Sequence, residues 1–178
     1  MQQTNQMLNC NMQNIPMSHI IYDSNERISR MIYFGHNGNK TNENYFQTNG
    51  EISMEVHYDA ISNKVYEGQT REGKYHGEGT TFHNGMTEYI GIFKNGFKEG
   101  KGKLFITNSR NIEYDGNWLG NYYHGYGTLY YDTNTRKFVG NFKKGFYDGS
   151  GKLYNRQNQI VYEGNFKEGE FCGKGIQF

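Results

Sequence analysis

Aromatic side chains recur along residues 66–178 at a nearly fixed stride. Tyr66, Tyr89, Tyr114, Phe138 and Tyr162 start five units spaced 23, 25, 24 and 24 residues apart, and self-similarity on this scale predicts a repeat array. Counted from that ring, position three is Gly68, Gly91, Gly116, Gly140 and Gly164, and position five is Thr70, Phe93, Trp118, Phe142 and Phe166. Position eight is Gly73, Gly96, Asn121, Gly145 and Gly169, and position twelve is Gly77, Gly100, Gly125, Gly149 and Gly173. Position fourteen is again Gly throughout, from Gly79 to Gly175, and position seventeen is always Phe or Tyr, from Phe82 to Phe178. Rings at one and five share a face if positions one to six form a strand. Glycines at eight and twelve bracket three residues and predict the hairpin connection there. Gly96, Gly145 and Gly169 are expected at positive φ, with Asn121 as their stand-in. Positions twelve to seventeen then return as a second strand. Pairing centred on that connection sets position three opposite position seventeen. The ring columns supply most of the buried area, at roughly 150–250 Å² per ring, and single hairpins need stacked neighbours to be stable.

The pattern weakens upstream. Only three of the 24 glycines, Gly35, Gly38 and Gly50, precede residue 66. Phe46, Asn49, Ser53 and Tyr58 fit positions five, eight, twelve and seventeen of a unit starting at Asn42, with Asn44 where Gly belongs. A further unit within 17–41 would end near Tyr33 and Phe34; the alternative is an irregular β cap. Residues 1–16 are polar and expected to be disordered or ordered by a partner. Three segments result: a tail over 1–16, degenerate β repeats or a cap over 17–65, and five full units over 66–178.

The skeleton resembles the MORN repeat family. The stretches YIGIFKNGFKEGKG at 89–102 and YEGNFKEGEFCGKG at 162–175 carry every hallmark position. The resemblance covers residues 66–178. It implies an all-β fold, an elongated single-layer array of antiparallel β-hairpins with almost no helix. It also implies a scaffold, because stand-alone MORN proteins serve in radial spoke heads of cilia and in other cytoskeletal assemblies. MORN arrays attached to lipid kinases and some lysine methyltransferases target those enzymes, but no room for a catalytic domain is expected here.

Composition narrows the classes further. Hydrophobic residues are 34% and aromatics 16% of the chain, so rings replace a Leu/Ile/Val core. Formal net charge is +1, and nucleic-acid binding, which goes with a basic excess, is not expected. Cys10 and Cys172 are too few for a disulfide framework and read as reduced thiols in a cytoplasmic setting. No apolar stretch reaches the ~18 residues of a membrane span, and residues 1–17 lack the features of a secretory leader. There is no phosphate-binding loop, nucleophile elbow or metal-ligand spacing. His76 and His124 both take position eleven, two units apart, and read as turn-exposed. No catalytic residue, cofactor or metal is expected, so the chain is not read as an enzyme.

Two patterns point to partners. Position six carries Arg71, Lys94, Lys143 and Lys167, a basic column suited to an anionic partner, with Leu119 in the third unit. Acids at position two (Glu67, Asp115 and Glu163) weaken the anionic-phospholipid version of that partner. Positions nine and ten carry Phe97, Tyr122, Tyr123, Phe146, Tyr147 and Phe171. Placed at hairpin tips, these rings either fold under to close an edge or line a protein-binding rim. The edge around Gly173, Ile176 and Phe178 is expected to pair with a second copy or another subunit. A non-enzymatic scaffold in a cytoskeletal assembly, such as a ciliary axoneme, is the favoured function. Membrane lipid is the alternative.

Overall fold

The structure, a computed structural model, describes the backbone of Gln6–Leu8 and residues 18–178. The expectation for residues 1–16 otherwise lies outside the described residues. The chain divides into two compact units, Met1–Gly73 and Lys74–Phe178. The strands are β1 (Gln6–Leu8), β2 (Ser18–Tyr22), β3 (Ile28–Phe34), β4 (Lys40–Phe46), β5 (Ile52–Tyr58) and β6 (Lys64–Arg71) in the first unit. The second unit holds β7 (Lys74–His83), β8 (Met86–Lys94), β9 (Phe97–Phe105), β10 (Ile112–Leu119), β11 (Tyr122–Asp132), β12 (Thr135–Lys143), β13 (Phe146–Tyr154), β14 (Ile160–Lys167) and β15 (Glu170–Gln177). Within each unit every strand pairs antiparallel with the next in chain order. No helix occurs among the described residues.

In the second unit the hairpin connection lies earlier than the glycine spacing predicts. Lys94 pairs with Phe97, Leu119 with Tyr122, Lys143 with Phe146 and Lys167 with Glu170. Only positions seven and eight lie between, and both have positive φ: Asn95 52° and Gly96 87°, Gly120 60° and Asn121 71°, Lys144 50° and Gly145 88°, Glu168 50° and Gly169 91°. That is a two-residue turn of the mirror-image type, whose twist matches the flanking strands. The glycines at position eight, and Asn121, therefore sit as expected. The glycine at twelve is not part of the turn. It lies in the returning strand, beside a register shift such as those between Gly91 and Ile92 or Gly140 and Phe142.

The earlier turn changes the pairing. Position three faces position fourteen, not seventeen: Gly91 pairs with Gly102, Gly116 with Gly127, Gly140 with Gly151 and Gly164 with Gly175. The position-one ring lies flat over this pair. A Cβ at Gly127 would stand 2.3 Å from the Tyr114 hydroxyl oxygen, and one at Gly151 would stand 2.3 Å from Phe138 Cζ. The Tyr114 hydroxyl donates to the Asn117 carbonyl at 2.9 Å, and Tyr89 and Tyr162 do the same to Ile92 and Asn165. Position-five rings fill the gaps between position-one rings. Phe93, Tyr89, Trp118, Tyr114, Phe142, Phe138, Phe166 and Tyr162 touch in that order, edge to face, with centroids 5.0–5.3 Å apart. Tyr89, Tyr114 and Phe138 are fully buried. This file of rings replaces a second layer, and edge-to-face pairs gain about 0.5–1.5 kcal/mol beyond their buried area.

Lys144 and Glu168 hold the left-handed conformation with side chains that disfavour it. Asn95 occupies the same turn position at φ 52°. Glu168→Asn is expected to raise stability by up to about 1 kcal/mol, read as a higher urea midpoint. A lowered midpoint would contradict the strain.

The first unit runs on a twelve-residue step. Ile20, Ile32, Asn44 and Val56 are buried at matching places on β2 to β5. Glu26, Gly38, Gly50 and Ser62 are left-handed, at φ 61°, 75°, 84° and 66°. Each closes a five-residue connection, as in the bond from the Asp23 N–H to the Arg27 carbonyl and its counterparts at Gly35, Gln47 and Asp59. Asp23 Oδ1 accepts from the Asn25 and Arg27 amides, and Asp59 Oδ1 from Ile61 and Asn63. The turn assigned to Asn49 is thus the longer connection Gln47–Glu51, with Gly50 rather than Asn49 left-handed. Asn44 pairs with Glu55, the register of the glycine pairs.

Glu43 on β4 is buried at 2% exposure. Its carboxylate takes Arg30 Nε at 3.0 Å and Lys40 Nζ at 2.8 Å, and accepts from the Tyr58 and Tyr45 hydroxyls at 2.7 and 3.1 Å. The Arg30 guanidinium lies over the Tyr45 ring and the Lys40 ammonium over the Tyr58 ring. Burial raises the Glu43 pKa, but the bonds from Lys40, Tyr58 and Tyr45 and the charge of Arg30 outweigh it and hold the group below its usual range. Burial and the bond to Glu43 push the Tyr58 phenol well above its usual range.

Candidate interaction surface

Strand alternation separates positions nine and ten. Position-ten rings turn to the ring file: Tyr123 stacks on Tyr114 at 3.9 Å, Tyr147 on Phe138 at 3.9 Å and Phe171 on Tyr162 at 4.1 Å. The Tyr123 hydroxyl donates to Glu113 at 2.9 Å, and burial first and then that bond push its pKa far up. Burial pushes Tyr147 up to about 12. Tyr123 and Tyr147 are therefore packed against the core and are not tip residues, because the turn ends at position eight. Phe171 stacks as they do but stays exposed.

Position nine is different. Phe97, Tyr122 and Phe146 are 53%, 57% and 58% exposed. They begin β9, β11 and β13, and their cross-strand partners are Lys94, Leu119 and Lys143, all exposed. The position-eight amide of each following repeat donates to the position-ten carbonyl of the one before, Gly145 to Tyr123 at 2.9 Å and Gly169 to Tyr147 at 2.9 Å. This bond brings consecutive turns into line. The result is one row along the turn edge in which Phe97, Tyr122 and Phe146 alternate with Lys94, Leu119 and Lys143.

The acids at position two do not neutralise the row. Asp115 pairs with Lys103 at 3.1 Å and Glu163 with Lys152 at 3.1 Å, so position-fifteen lysines of the preceding repeats take them up. In the first unit Glu67 pairs with Lys64. Among the described residues, Lys94, Lys143 and Lys167 make no ion pair. Arg71 is exposed at the end of β6 in the first unit. Ile176 and Phe178, on and after β15, are 63% and 70% exposed.

Lys98 stands at position ten of the second repeat, where the others carry a ring. Its ammonium lies 4.8 Å from the Tyr89 ring centroid and 5.2 Å from that of Trp118. Burial lowers its pKa, partly offset by Glu88 and Glu113. An open groove of about 290 Å³ runs beside it, lined also by Trp118, Tyr122 and Tyr123. The sequence shows this exception plainly, as one Lys in a column of Tyr and Phe. A second groove of about 350 Å³ lies over the glycine pairs, where Tyr126, Val139, Lys152 and Glu163 line it. Tyr126, 59% exposed, escaped the sequence reading because position thirteen has no shared character.

His76 and His124 are half-buried within β7 and β11, not on turns. Cys172 is exposed; Cys10 lies outside the described residues.

The pattern of the MORN repeat matches residues 66–87, 89–109, 114–136, 138–157 and 162–177. No curated protein matched the chain. MORN repeats are structural repeats that generally serve to bind proteins or membranes. With five matched repeats over more than half its length, the last four coinciding with the ring-over-glycine hairpins described above, the chain belongs to the MORN repeat family.

Proposed function

We propose that this protein is a non-enzymatic scaffold that binds other proteins along the row of Phe97, Tyr122 and Phe146. The observation that carries this reading is three large rings, each more than half exposed, in register on consecutive hairpins. Exposed aromatic residues flanked by charge are the usual anchors of protein interfaces. The cytoskeletal setting, an axoneme or a related assembly in the cytoplasm, rests on the resemblance to stand-alone MORN proteins alone. The unpaired lysines favour a second reading, an anionic lipid surface, since each Lys near such a surface gains about 1 kcal/mol.

One experiment separates the two. The variant Phe97→Ala/Tyr122→Ala/Phe146→Ala is used with the native chain to capture proteins from cytoskeletal fractions, identified by mass spectrometry. Both are also sedimented with vesicles of 80% phosphatidylcholine and 20% phosphatidylserine. The triple variant should melt as the native chain does and lose its protein partners, this chain included if it is its own partner. Capture unchanged by the three substitutions refutes the row. Strong vesicle binding with no protein capture puts lipid in its place.

A further inference from the structure

The row has a period, and a partner that follows it must share that period. Successive position-nine residues lie one hairpin apart, two strand spacings, or about 9.6 Å. The flanking lysines show what charge the partner carries. Positions six to nine of repeats two to four read KNGF, LGNY and KKGF, three lysines and no acid. Repeat five reads KEGE at the same place, which ends both the basic run and the aromatic one. Accepting the row as a protein-binding surface, we infer that its occupant is an acidic helix with an apolar residue at every seventh position, lying across the strands from Phe97 to Phe146.

Seven residues of helix rise about 10.5 Å. Over two steps the mismatch with the row is about 2 Å by the same spacings, within the reach of a Leu or Phe side chain. Three apolar residues at i, i+7 and i+14 thus meet three rings. An extended segment with a period of three also advances about 10 Å. Running across the strands, however, it finds no strand edge to accept its backbone N–H and C=O groups. A helix satisfies those groups internally. Lys94 and Lys143, in line with the rings, then face acidic positions between the apolar ones, and Lys144 adds a third positive charge at the turn.

The test uses the full chain and three synthetic acidic probes of equal length and net charge, at ~150 mM salt. The first is helical with Leu at every seventh residue. The second is helical with Leu at every fifth. The third is proline-rich and extended, with Leu at every third. Fluorescence anisotropy is expected to show saturable binding of the first, weakened at least tenfold for the second and third. Phe97→Ala/Tyr122→Ala/Phe146→Ala should abolish binding of the first probe without lowering the melting temperature. Lys94→Glu/Lys143→Glu/Lys144→Glu should weaken it at least tenfold and shift preference to a basic version of the same peptide. Equal binding of all three probes, preference for the extended one, or no binding of the first overturns the inference. In each of those cases, capture of proteins by the native chain and not by the triple alanine variant would leave the row as the binding surface.

Discussion

Replacing Gly127 by Ala is expected to destabilise the array by about 3 kcal/mol or more, at the upper end of ordinary overpacking. The added Cβ would stand 2.3 Å from the Tyr114 hydroxyl oxygen and 2.6 Å from its Cζ. Tyr114 cannot yield, because Trp118, Tyr123 and Phe142 hold its ring on three sides and its hydroxyl is bonded to the Asn117 carbonyl. The control is Gly145→Ala. There a Cβ meets nothing within 4 Å, and the cost comes only from a φ of 88°, about 1–2 kcal/mol. Gly145→Asn should be milder still, since Asn121 holds the same turn position in the third repeat. The measurement is urea unfolding followed by the emission of Trp118, the single tryptophan, which is buried beside Tyr114. If Gly127→Ala and Gly145→Ala unfold at the same midpoint, the ring does not need the glycine pair beneath it.

Glu43→Ala should cost about 2–3 kcal/mol in the first unit. Removing one partner of a buried ion pair typically costs about 3–5 kcal/mol; here Arg30 and Lys40 side chains are 31% and 38% exposed and can recover some hydration. The Glu43 carboxyl titrates below its usual value when folded, so its contribution is complete above the unfolded pKa. It is lost as pH falls through the lower, folded pKa. Denaturant midpoints of the native chain and of Glu43→Gln should therefore differ at pH 7, begin to converge below about pH 4, near the ordinary carboxyl value, and go on converging as pH falls through the folded pKa. A difference that persists unchanged at pH 3 would show that shape, not charge, holds the cluster.

Which parts of this were legible in the sequence follows from which interactions repeat. Rings at positions one and five announced the strands and the shared face because a ring file needs the same residue at every step. Left-handed turns announced themselves at Gly96, Asn121, Gly145 and Gly169. The turn was nevertheless placed too late, since Gly at position twelve looks like a turn residue and is in fact a bulge within the strand. That error moved Tyr123 and Tyr147 to the tips, where the structure stacks them on Tyr114 and Phe138. The twelve-residue step of the first unit was hidden because its left-handed positions are Glu26, Gly38, Gly50 and Ser62, four places of which only two are glycine. The Glu43 cluster was hidden for a different reason: Arg30, Lys40 and Tyr58 come from three strands, and only register brings them to one carboxylate. The basic column was visible, but the pairing of Asp115 and Glu163 with Lys103 and Lys152, which frees it, was not.

The two long margins of the Lys74–Phe178 sheet obey different rules. Along one, every turn is two residues, and each is tied to the preceding repeat by the bond from position eight to position ten. Along the other, β7 and β8 meet through Asn84 and Gly85, whereas β9 and β10 are joined by the longer loop Ile106–Asn111. The 23- and 25-residue strides differ only there. Length is thus a free variable on one side and a constant on the other. A peptide tag or a reporter domain spliced after Asn108 would enter a margin that already absorbs extra residues, and would leave the ring row in phase. The same splice between Asn95 and Gly96 would break the two-residue turn that sets Lys94 beside Phe97 and the Gly96 bond that aligns it with the preceding repeat.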